Sequence, residues 1–341
     1  MRYRACITGW GKYVPERILT NQDLERMVDT SDEWIRSRTG IRERRVAADH
    51  ETVSSMAAAA GSRALALAGV EAGELDLIIV ATCTPENFLP AAACVVQDRL
   101  GARRAAAFDL NVACAGFMYA LATGAQFIET GAYRRVLVVG AEVLSRIVDW
   151  TDRTTCVLFG DGAGAVVLEA GTQGGLRTFF LAADGAGGPL LYSHGFCHAP
   201  AAGVVDHYIH MNGPEVFRFA VGAMANAARR VTEAAGLAME DVDLFIPHQA
   251  NYRIVAAAAK SLGIPMDRVY VNLDRYGNTS AASVPLALAE AADDGRLRPG
   301  DRVVMVGFGA GLSWAASLVE WVAAPVAPAV AVEDAAGAGN P

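Results

Sequence analysis

GELDLIIVATCTPEN (Gly73–Asn87) is echoed about 165 residues downstream by MEDVDLFIPHQAN (Met239–Asn251). Two further pairs keep that interval. AFDLNVACAGFMYALA (Ala107–Ala122) matches YVNLDRYGNTSAASVPLALA (Tyr270–Ala289), and AYRRVLVVGAEV (Ala132–Val143) matches PGDRVVMVGFGA (Pro299–Ala310). Similarity repeated at one interval marks a duplicated structural unit. Within each copy a short β-branched apolar run is followed by an Ala-rich stretch of helical period. That alternation, with strands apolar almost throughout, argues for an α/β fold whose sheets are covered on both faces. We expect two similar halves about a pseudo-twofold axis, residues 1–172 and 173–322. The Ala/Pro/Val/Gly stretch 323–341 has no hydrophobic period and reads as a disordered tail.

The pattern predicts strands at 77–81, 105–110, 135–140, 157–159, 165–169, 244–247, 269–272 and 302–307. Helices are expected at 54–68, 115–130, 214–235, 252–262 and 283–293. Ser31, before the acidic pair Asp32 and Glu33, and Pro214 read as helix starts.

Composition excludes several classes. With 53% hydrophobic and 19% charged residues in 341, the chain is not a disordered polymer. Its 34 glycines have no three-residue period, which excludes collagen. No uninterrupted apolar run approaches the length of a membrane span, and the opening MRYRACITGW reads as a first strand and not as a signal peptide. A cytoplasmic protein is the expectation, with no membrane contact. The 29 Lys and Arg against 37 Asp and Glu leave a net charge of -8, and basic residues come only in twos and threes, as at Arg42, Arg44 and Arg45. Nucleic-acid binding is not expected. The six cysteines lack CxxC spacing and are read as free thiols.

Three residues at strand-to-helix junctions carry chemistry. Cys114, in NVACAGF, opens a helix whose macrodipole favours thiolate; the plainer alternative, a small buried hydrophobe, is the reading given to the other five cysteines. His248, in IPHQANYRI, follows an apolar strand, where a satisfied structural histidine is common. Asn278, in YGNTSAAS, sits where asparagine also serves as a cap. Ligands of α/β sheets bind beyond the carboxyl ends of strands. The three together supply a nucleophile and two neutral hydrogen-bond donors. GFGAGLSW (Gly307–Trp314) is a glycine-rich turn whose backbone N–H groups could approach an anionic atom. FGDGAGA (Phe159–Ala165) lacks the order of a dinucleotide fingerprint and is read as a turn. His194, Cys197, His198, His207 and His210 match no strong ligand spacing, so no metal is expected.

Taken in order, TSDEWIRSRTGIRERR (Thr30–Arg45), NVACAGF, FGDGAGA, HQANYRI, GNTSAAS and GFGAGLSW resemble the β-ketoacyl-acyl-carrier-protein synthase III family of thiolase-fold condensing enzymes. The resemblance runs from about Tyr3 to Val322. It implies a thiolase-like five-layer αβαβα sandwich, usually a homodimer. It implies decarboxylative Claisen condensation of an acyl-CoA starter with malonyl-acyl-carrier protein, through an acyl-Cys intermediate and without a cofactor. Residue by residue, Cys114 matches the acyl-accepting nucleophile, and His248 and Asn278 match the donors to the thioester oxygen. The backbone N–H groups of Cys114 and Ala310 match the oxyanion hole, where many members have glycine in place of Ala310; alanine serves if its φ is negative. Trp34 and Arg153 match an adenine sandwich, Thr30 and Arg38 other nucleotide contacts, and Asn251 a pantetheine contact. Gln249, Ala250, Asn251, Tyr252 and Arg253 match the carrier-protein segment.

Arg218 and Arg229, about 20° apart around one predicted helix, and Arg253 and Lys260 on the next extend that segment into a basic patch. Leu89 matches the residue that crosses the dimer and closes the partner's acyl tunnel. Members restricted to acetyl starters often carry phenylalanine there, so the smaller leucine predicts room for four- or five-carbon starters. Three rival readings remain open at this stage. A papain-like cysteine hydrolase would use the same three residue types, but the glycine-rich signature around its cysteine is missing. A starter-unit ketosynthase or acyltransferase of a polyketide pathway would keep the fold. A non-catalytic scaffold would leave the three positions without purpose.

Overall fold

The computed structural model describes residues 3–195 and 206–322. The expected tail 323–341, with Cys197 and His198, lies outside the described residues. The first part of the chain forms β1 (Arg4–Tyr13), β2 (Ile18–Thr20), α1 (Asn21–Leu24), α2 (Asp32–Thr39), β3 (Glu43–Arg45) and α3 (Val53–Ala68). Next come β4 (Leu77–Ala81), α4 (Ala92–Leu100), β5 (Ala106–Leu110), α5 (Gly116–Glu129), β6 (Arg135–Val143), β7 (Asp161–Gly171) and β8 (Gly175–Ala183). After the short pair β9 (Leu191–Tyr192) and β10 (His210–Met211) follow α6 (Gly213–Ala234), β11 (Leu244–Pro247), α7 (Tyr252–Leu262) and α8 (Leu273–Tyr276). The series ends with α9 (Ser283–Asp293), β12 (Arg302–Gly309) and β13 (Ser313–Glu320).

Local chemistry explains the boundaries. Ser31 Oγ accepts from the Trp34 N–H to open α2, and Thr52 and Ser55 cap α3 reciprocally. Pro214 sits in the first turn of α6. Along α7 the buried residues are Ile254, Val255, Ala258, Ala259 and Leu262, one continuous helical stripe.

The two main sheets have the same plan. In the first the order is β1-β7-β6-β4-β5, with β4 parallel to β5 and β6, and β7 antiparallel to β6 and β1. In the second the order is β11-β12-β13-β8, with β11 parallel to β12, and β13 antiparallel to β12 and β8. The counterpart of β5 shrinks to a single parallel bridge between Phe245 and Val269. We propose that the boundary between halves falls at 172/173, in the short link between β7 and β8.

Three apolar clusters stack the sheets into five layers. Helices α3 and α4 cover the outer face of the first sheet through Met56, Ala60, Ala64 and Val96 against Ile78, Leu137 and Val167. Helices α5 and α9 fill the centre, where Phe117, Leu121 and Leu288 meet Ile79 and Val138 of one sheet and Ile246 and Met305 of the other. Helices α6 and α7 close the far side through Met224, Val231, Val255 and Leu262 on Val304 and Leu318. The result is the αβαβα sandwich.

Three local expectations are corrected. Residues 157–159 form turns, with Phe159 making one bridge to Asn278. Residues 269–272 hold only the bridge at Val269. FGDGAGA is not a turn: Asp161–Ala165 opens the long strand β7. Two of its glycines, Gly162 and Gly164, make room for α9: a Cβ on Gly164 would lie 2.6 Å from the Leu286 backbone nitrogen.

Candidate active site

The nucleophile turn is built by close backbone approach. After β5, residues Ala113–Ala115 form one 3-10 turn that runs into α5, placing Cys114 at the head of a largely buried helix. β12 passes directly beneath. A Cβ on Gly309 would lie 2.8 Å from the Cys114 nitrogen, so only glycine lets the strand come this near. The second half repeats the device, with Ser280–Ala282 as a 3-10 turn leading into α9. Among the described residues, the only non-glycine positions at positive φ are Ala113 (45°) and Ser280 (48°), each the first residue of its turn. Such backbone is costly for a residue with a Cβ and collects at functional sites.

These turns border a cavity of about 1150 Å³ whose wall includes Cys83, Cys114, Phe159, Ser280, Ala310 and Gly311. Cys114 is buried at 9% exposure. Burial pushes its thiol up to about 12, and the Ser280 hydroxyl beside it offsets only part of that. The thiolate that the helix terminus favours must therefore form against this desolvation cost.

His248 and Asn278 are both buried, and Asn278 is linked to two wall residues through its bridge to Phe159 and its bond to Ser280. The His248 N–H donates to the Val306 carbonyl at 2.7 Å, and its ring meets Phe308 edge-on at 5.0 Å. Its Nδ1 lies 2.5 Å from Ser283 Oγ on α9. With the Ser283 hydroxyl donating to Nδ1, the ring proton sits on Nε2. Burial lowers the imidazole to about 3, so the ring is neutral, a state that suits a hydrogen-bond donor. Asn278 donates its backbone N–H to the Leu158 carbonyl, and its Oδ1 accepts from the Ser280 N–H at 2.8 Å. That bond fixes the amide orientation and leaves Nδ2 as the donor. Ala310 is not among the positive-φ residues, so alanine is tolerated there.

The other expected residues fall into three groups. Arg153 and Trp34 come together, with the guanidinium 4.9 Å from the indole centroid, and Arg153 also pairs with Asp29 at 3.5 Å. A flat base between them needs two contact layers of about 3.5 Å each, so the pair must open to take one. Thr30 Oγ1 is buried without a partner, and Arg38 is exposed on α2. The Asn251 side chain is already engaged: Oδ1 caps α7 by accepting from the Arg253 N–H, and Nδ2 donates to the Arg38 carbonyl at 3.1 Å.

Arg218, Tyr252, Arg253 and Lys260 are exposed on α6 and α7, with Arg253 lying over the Phe217 ring at 5.5 Å. Arg218 pairs with Glu215, and Arg229 is tied to Ser261. Ala250 is half-buried. Gln249 is corrected as a docking contact. It is 1% exposed, donates to the Pro247 and Tyr270 carbonyls and accepts from the Asn272 N–H, so it braces the turn from within.

Leu89 is 87% exposed and does not line this chain's cavity, whereas its neighbour Phe88 does. Cys6, Cys83, Cys94, Cys114 and Cys156 are free thiols. Among the described residues no helix is long and apolar enough to cross a membrane, and no cluster of three His, Cys, Asp or Glu could hold a metal. Sequence reasoning missed Ser280, Ser283 and Glu142. A signal for the first two was present, since both fall inside the GNTSAAS motif at the duplicated turn.

A cysteine at the head of a buried helix, paired glycine-assisted strands and two neutral donors within a duplicated five-layer sandwich define a thiolase-fold condensing enzyme. The model described as "3-Oxoacyl-[acyl-carrier-protein (ACP)] synthase III" matches residues 108–185, and its C-terminal counterpart matches residues 232–321. The chain is 55% identical over 318 residues to the beta-ketoacyl-[acyl-carrier-protein] synthase III of Geobacillus kaustophilus, covering 93% of this chain and 99% of that protein. The crystal structure of 3-oxoacyl-[acyl-carrier-protein] synthase III from Aquifex aeolicus superposes with a TM-score of 0.89 at 48% identity, covering 93% of this chain and 100% of that one. The priming β-ketosynthase of the R1128 polyketide pathway superposes with a TM-score of 0.90 at 39% identity, covering 95% and 98%. The chain belongs to the β-ketoacyl-acyl-carrier-protein synthase III family. It is a condensing enzyme of the acyltransferase type, and the family's reaction is the condensation that initiates fatty acid synthesis. The hydrolase and scaffold readings are thereby set aside.

Proposed function

We propose that this chain joins an acyl-CoA starter to malonyl-acyl-carrier protein by decarboxylative Claisen condensation, releasing a 3-oxoacyl-carrier protein. The observation that carries this reading is Cys114 on the cavity wall together with Ala310 and Ser280, the latter bonded to the buried Asn278. Cys114 attacks the starter thioester, and the backbone N–H groups of Cys114 and Ala310 hold the tetrahedral oxyanion. CoA leaves as its thiol. The malonyl thioester then enters, and loss of carbon dioxide develops negative charge on its carbonyl oxygen. His248 Nε2–H and Asn278 Nδ2–H donate to that oxygen, where preorganised donors stabilise most. The resulting carbon nucleophile attacks the acyl-Cys114 carbonyl, a step that requires water to be kept from the carbanion. A polyketide pathway could use the same chemistry; the high-identity relatives favour fatty acid synthesis.

Trp34 and Arg153, with Thr30, Arg38 and Asn251, are assigned to coenzyme A. The exposed Arg218, Arg253 and Lys260, together with Ala250 and Tyr252, are assigned to the carrier protein. Arg253→Glu is expected to raise KM for malonyl-carrier protein a few-fold to roughly tenfold, because an exposed ion pair is worth up to about 1 kcal/mol and reversal replaces attraction by repulsion. Acylation by acyl-CoA changes less. A condensation rate indifferent to ionic strength would exclude the patch. The five free thiols support a reducing, cytoplasmic setting.

A homodimer is supported by two surface features. β5 lies at the sheet edge and is only half-buried, and Phe88 and Leu89 project as exposed apolar side chains at 66% and 87%. We assign Leu89 to the end of the partner's acyl tunnel. The test of both function and starter is intact-protein mass after incubation with acetyl-CoA and isobutyryl-CoA. The wild type should gain either acyl group on Cys114. Leu89→Phe should lower the isobutyryl to acetyl ratio about fourfold for each methylene excluded, at ~0.8 kcal/mol apiece. Refusal of isobutyryl-CoA by the wild type, or an unchanged ratio in the variant, removes Leu89 from this role.

A further inference from the structure

The proposed reaction has one proton without an assigned acceptor, and a buried ionisable group that it does not use lies close to the nucleophile. Glu142, on β6, is fully buried. Its carboxyl accepts from Thr82 Oγ1 at 3.2 Å, from Thr84 Oγ1 at 2.6 Å and from Ser280 Oγ at 3.0 Å. It also accepts from the Cys83 N–H at 3.1 Å and the Cys83 thiol at 3.3 Å. With the three hydroxyls turned to donate, five donors converge on its two oxygens, the arrangement that favours a carboxylate. It has no cationic partner in these contacts, and burial pushes its pKa up, against the pull of its donors. The unassigned proton is that of Cys114, whose thiol burial makes hard to ionise. His248 cannot take it, being lowered to about 3.

Ser280 connects the two. It lines the cavity with Cys114, its turn packs against the nucleophile turn, and its backbone is held at φ 48°. Its hydroxyl donates to Glu142 on one side and stands beside the Cys114 sulfur on the other. The titratable groups set against Glu142 are Cys83, from the segment after β4, and Cys114, from the nucleophile turn.

We propose that Glu142, acting through the Ser280 hydroxyl, accepts the Cys114 proton when the thiol is activated. The S–H bond breaks and its proton passes to Ser280 Oγ, while the Ser280 proton passes to a Glu142 oxygen. The product is a Cys114 thiolate accepting from Ser280, which in turn accepts from a neutral Glu142. The number of buried negative charges stays at one throughout, which avoids the repulsion of a thiolate beside a carboxylate. When the Cys114 sulfur bonds to the acyl carbon and the CoA carbon–sulfur bond breaks, the same path returns the proton to the leaving sulfur. Glu142 is then a carboxylate again.

This inference rests on acylation at Cys114, but its test reads the thiol directly. Full-length wild type, Glu142→Gln, Glu142→Asp and Ser280→Gly are compared across pH 5.5–9.5 for two rates. One is Cys114 alkylation by iodoacetamide, and the other is formation of the acetyl adduct from acetyl-CoA. Glycine suits the positive φ of position 280, so Ser280→Gly removes the hydroxyl without adding backbone strain. A general base typically contributes a factor of about 10²–10⁴, so both rates should fall at least tenfold at pH 7 in Glu142→Gln and Ser280→Gly. The deficit should close as pH rises and hydroxide replaces the relay, and Glu142→Asp should recover part of the rate. If Glu142→Gln does not fold, Ser280→Gly decides alone. Rates within twofold of wild type, or a deficit equal at every pH, would overturn the proposal. Wild-type Cys114 that alkylates readily but takes no acetyl group would instead count against the acyl-transfer reading.

Discussion

Cys114→Ala is expected to abolish the acyl adduct and to lower condensation by a factor on the order of 10⁵–10⁶, the scale seen when a covalent nucleophile is removed from a preorganised site. The remaining apparatus has no second attacking atom in place. Cys83 lines the same cavity, but its thiol donates to Glu142, and burial raises its pKa well above the ordinary thiol value. The change deletes one sulfur from a packed position, so melting temperature should move little. His248 and Asn278 stay in place, and the variant should therefore still decarboxylate malonyl-carrier protein without coupling it to condensation. The decisive measurement is intact mass after acyl-CoA exposure, alongside the rate of carbon dioxide release. An adduct of normal yield in Cys114→Ala would displace the nucleophile assignment altogether.

What the sequence made legible follows from period and repetition. Buried strands such as Leu77–Ala81 and Leu244–Pro247 are apolar at every position, and α7 carries an unbroken helical stripe; both patterns are visible without coordinates. The duplicated interval led to the paired sheets and to the equivalence of the two turns. Failures occurred where tertiary contact overrides local preference. Val157–Phe159 has strand composition, yet its carbonyls serve the buried Arg44 guanidinium and the Asn278 N–H, which hold it as a turn. FGDGAGA has turn composition, yet Gly162 and Gly164 make space for α9 on β7.

The site was legible in its reacting residues and not in its supports. Cys114, His248 and Asn278 stand at strand-to-helix junctions, and that shared placement together with the motifs around them marks them. Glu142 sits inside the run RVLVVGAEV, where nothing in the local pattern distinguishes a buried charge from an exposed one at the end of a strand. Its meaning comes from donors brought in from Thr82–Thr84 and from Ser280, about 60 and 140 residues away in sequence. Gln249 fails for the same reason in reverse. Its neighbours Tyr252 and Arg253 are exposed, but its own three bonds turn inward.

The two donors should separate the half-reactions. His248→Ala and Asn278→Ala are each expected to lower decarboxylative condensation by about 10²–10³, the usual cost of one preorganised donor to a developing oxyanion. Acylation should fall by less than tenfold, because its oxyanion is held by backbone N–H groups that neither change removes. The neutral state of His248 adds a pH signature. With its pKa lowered to about 3, only about one ring in a hundred is protonated at pH 5, so between pH 5 and 8 this donor contributes no titration to the decarboxylation rate. An imidazole acting as a base near its ordinary value would instead impose a limb close to neutrality. Each substitution also has a structural cost: His248→Ala strips Ser283 of its partner, and Asn278→Ala leaves the Ser280 N–H without an acceptor, at about 1–3 kcal/mol apiece. That cost is read separately as a lower melting temperature. Single-turnover acylation and carbon dioxide release, measured on the same preparations, give the two rates independently. Normal condensation in either variant would falsify the assignment of both donors to the decarboxylation step, and an equal loss in both half-reactions would move that donor to the acylation oxyanion instead.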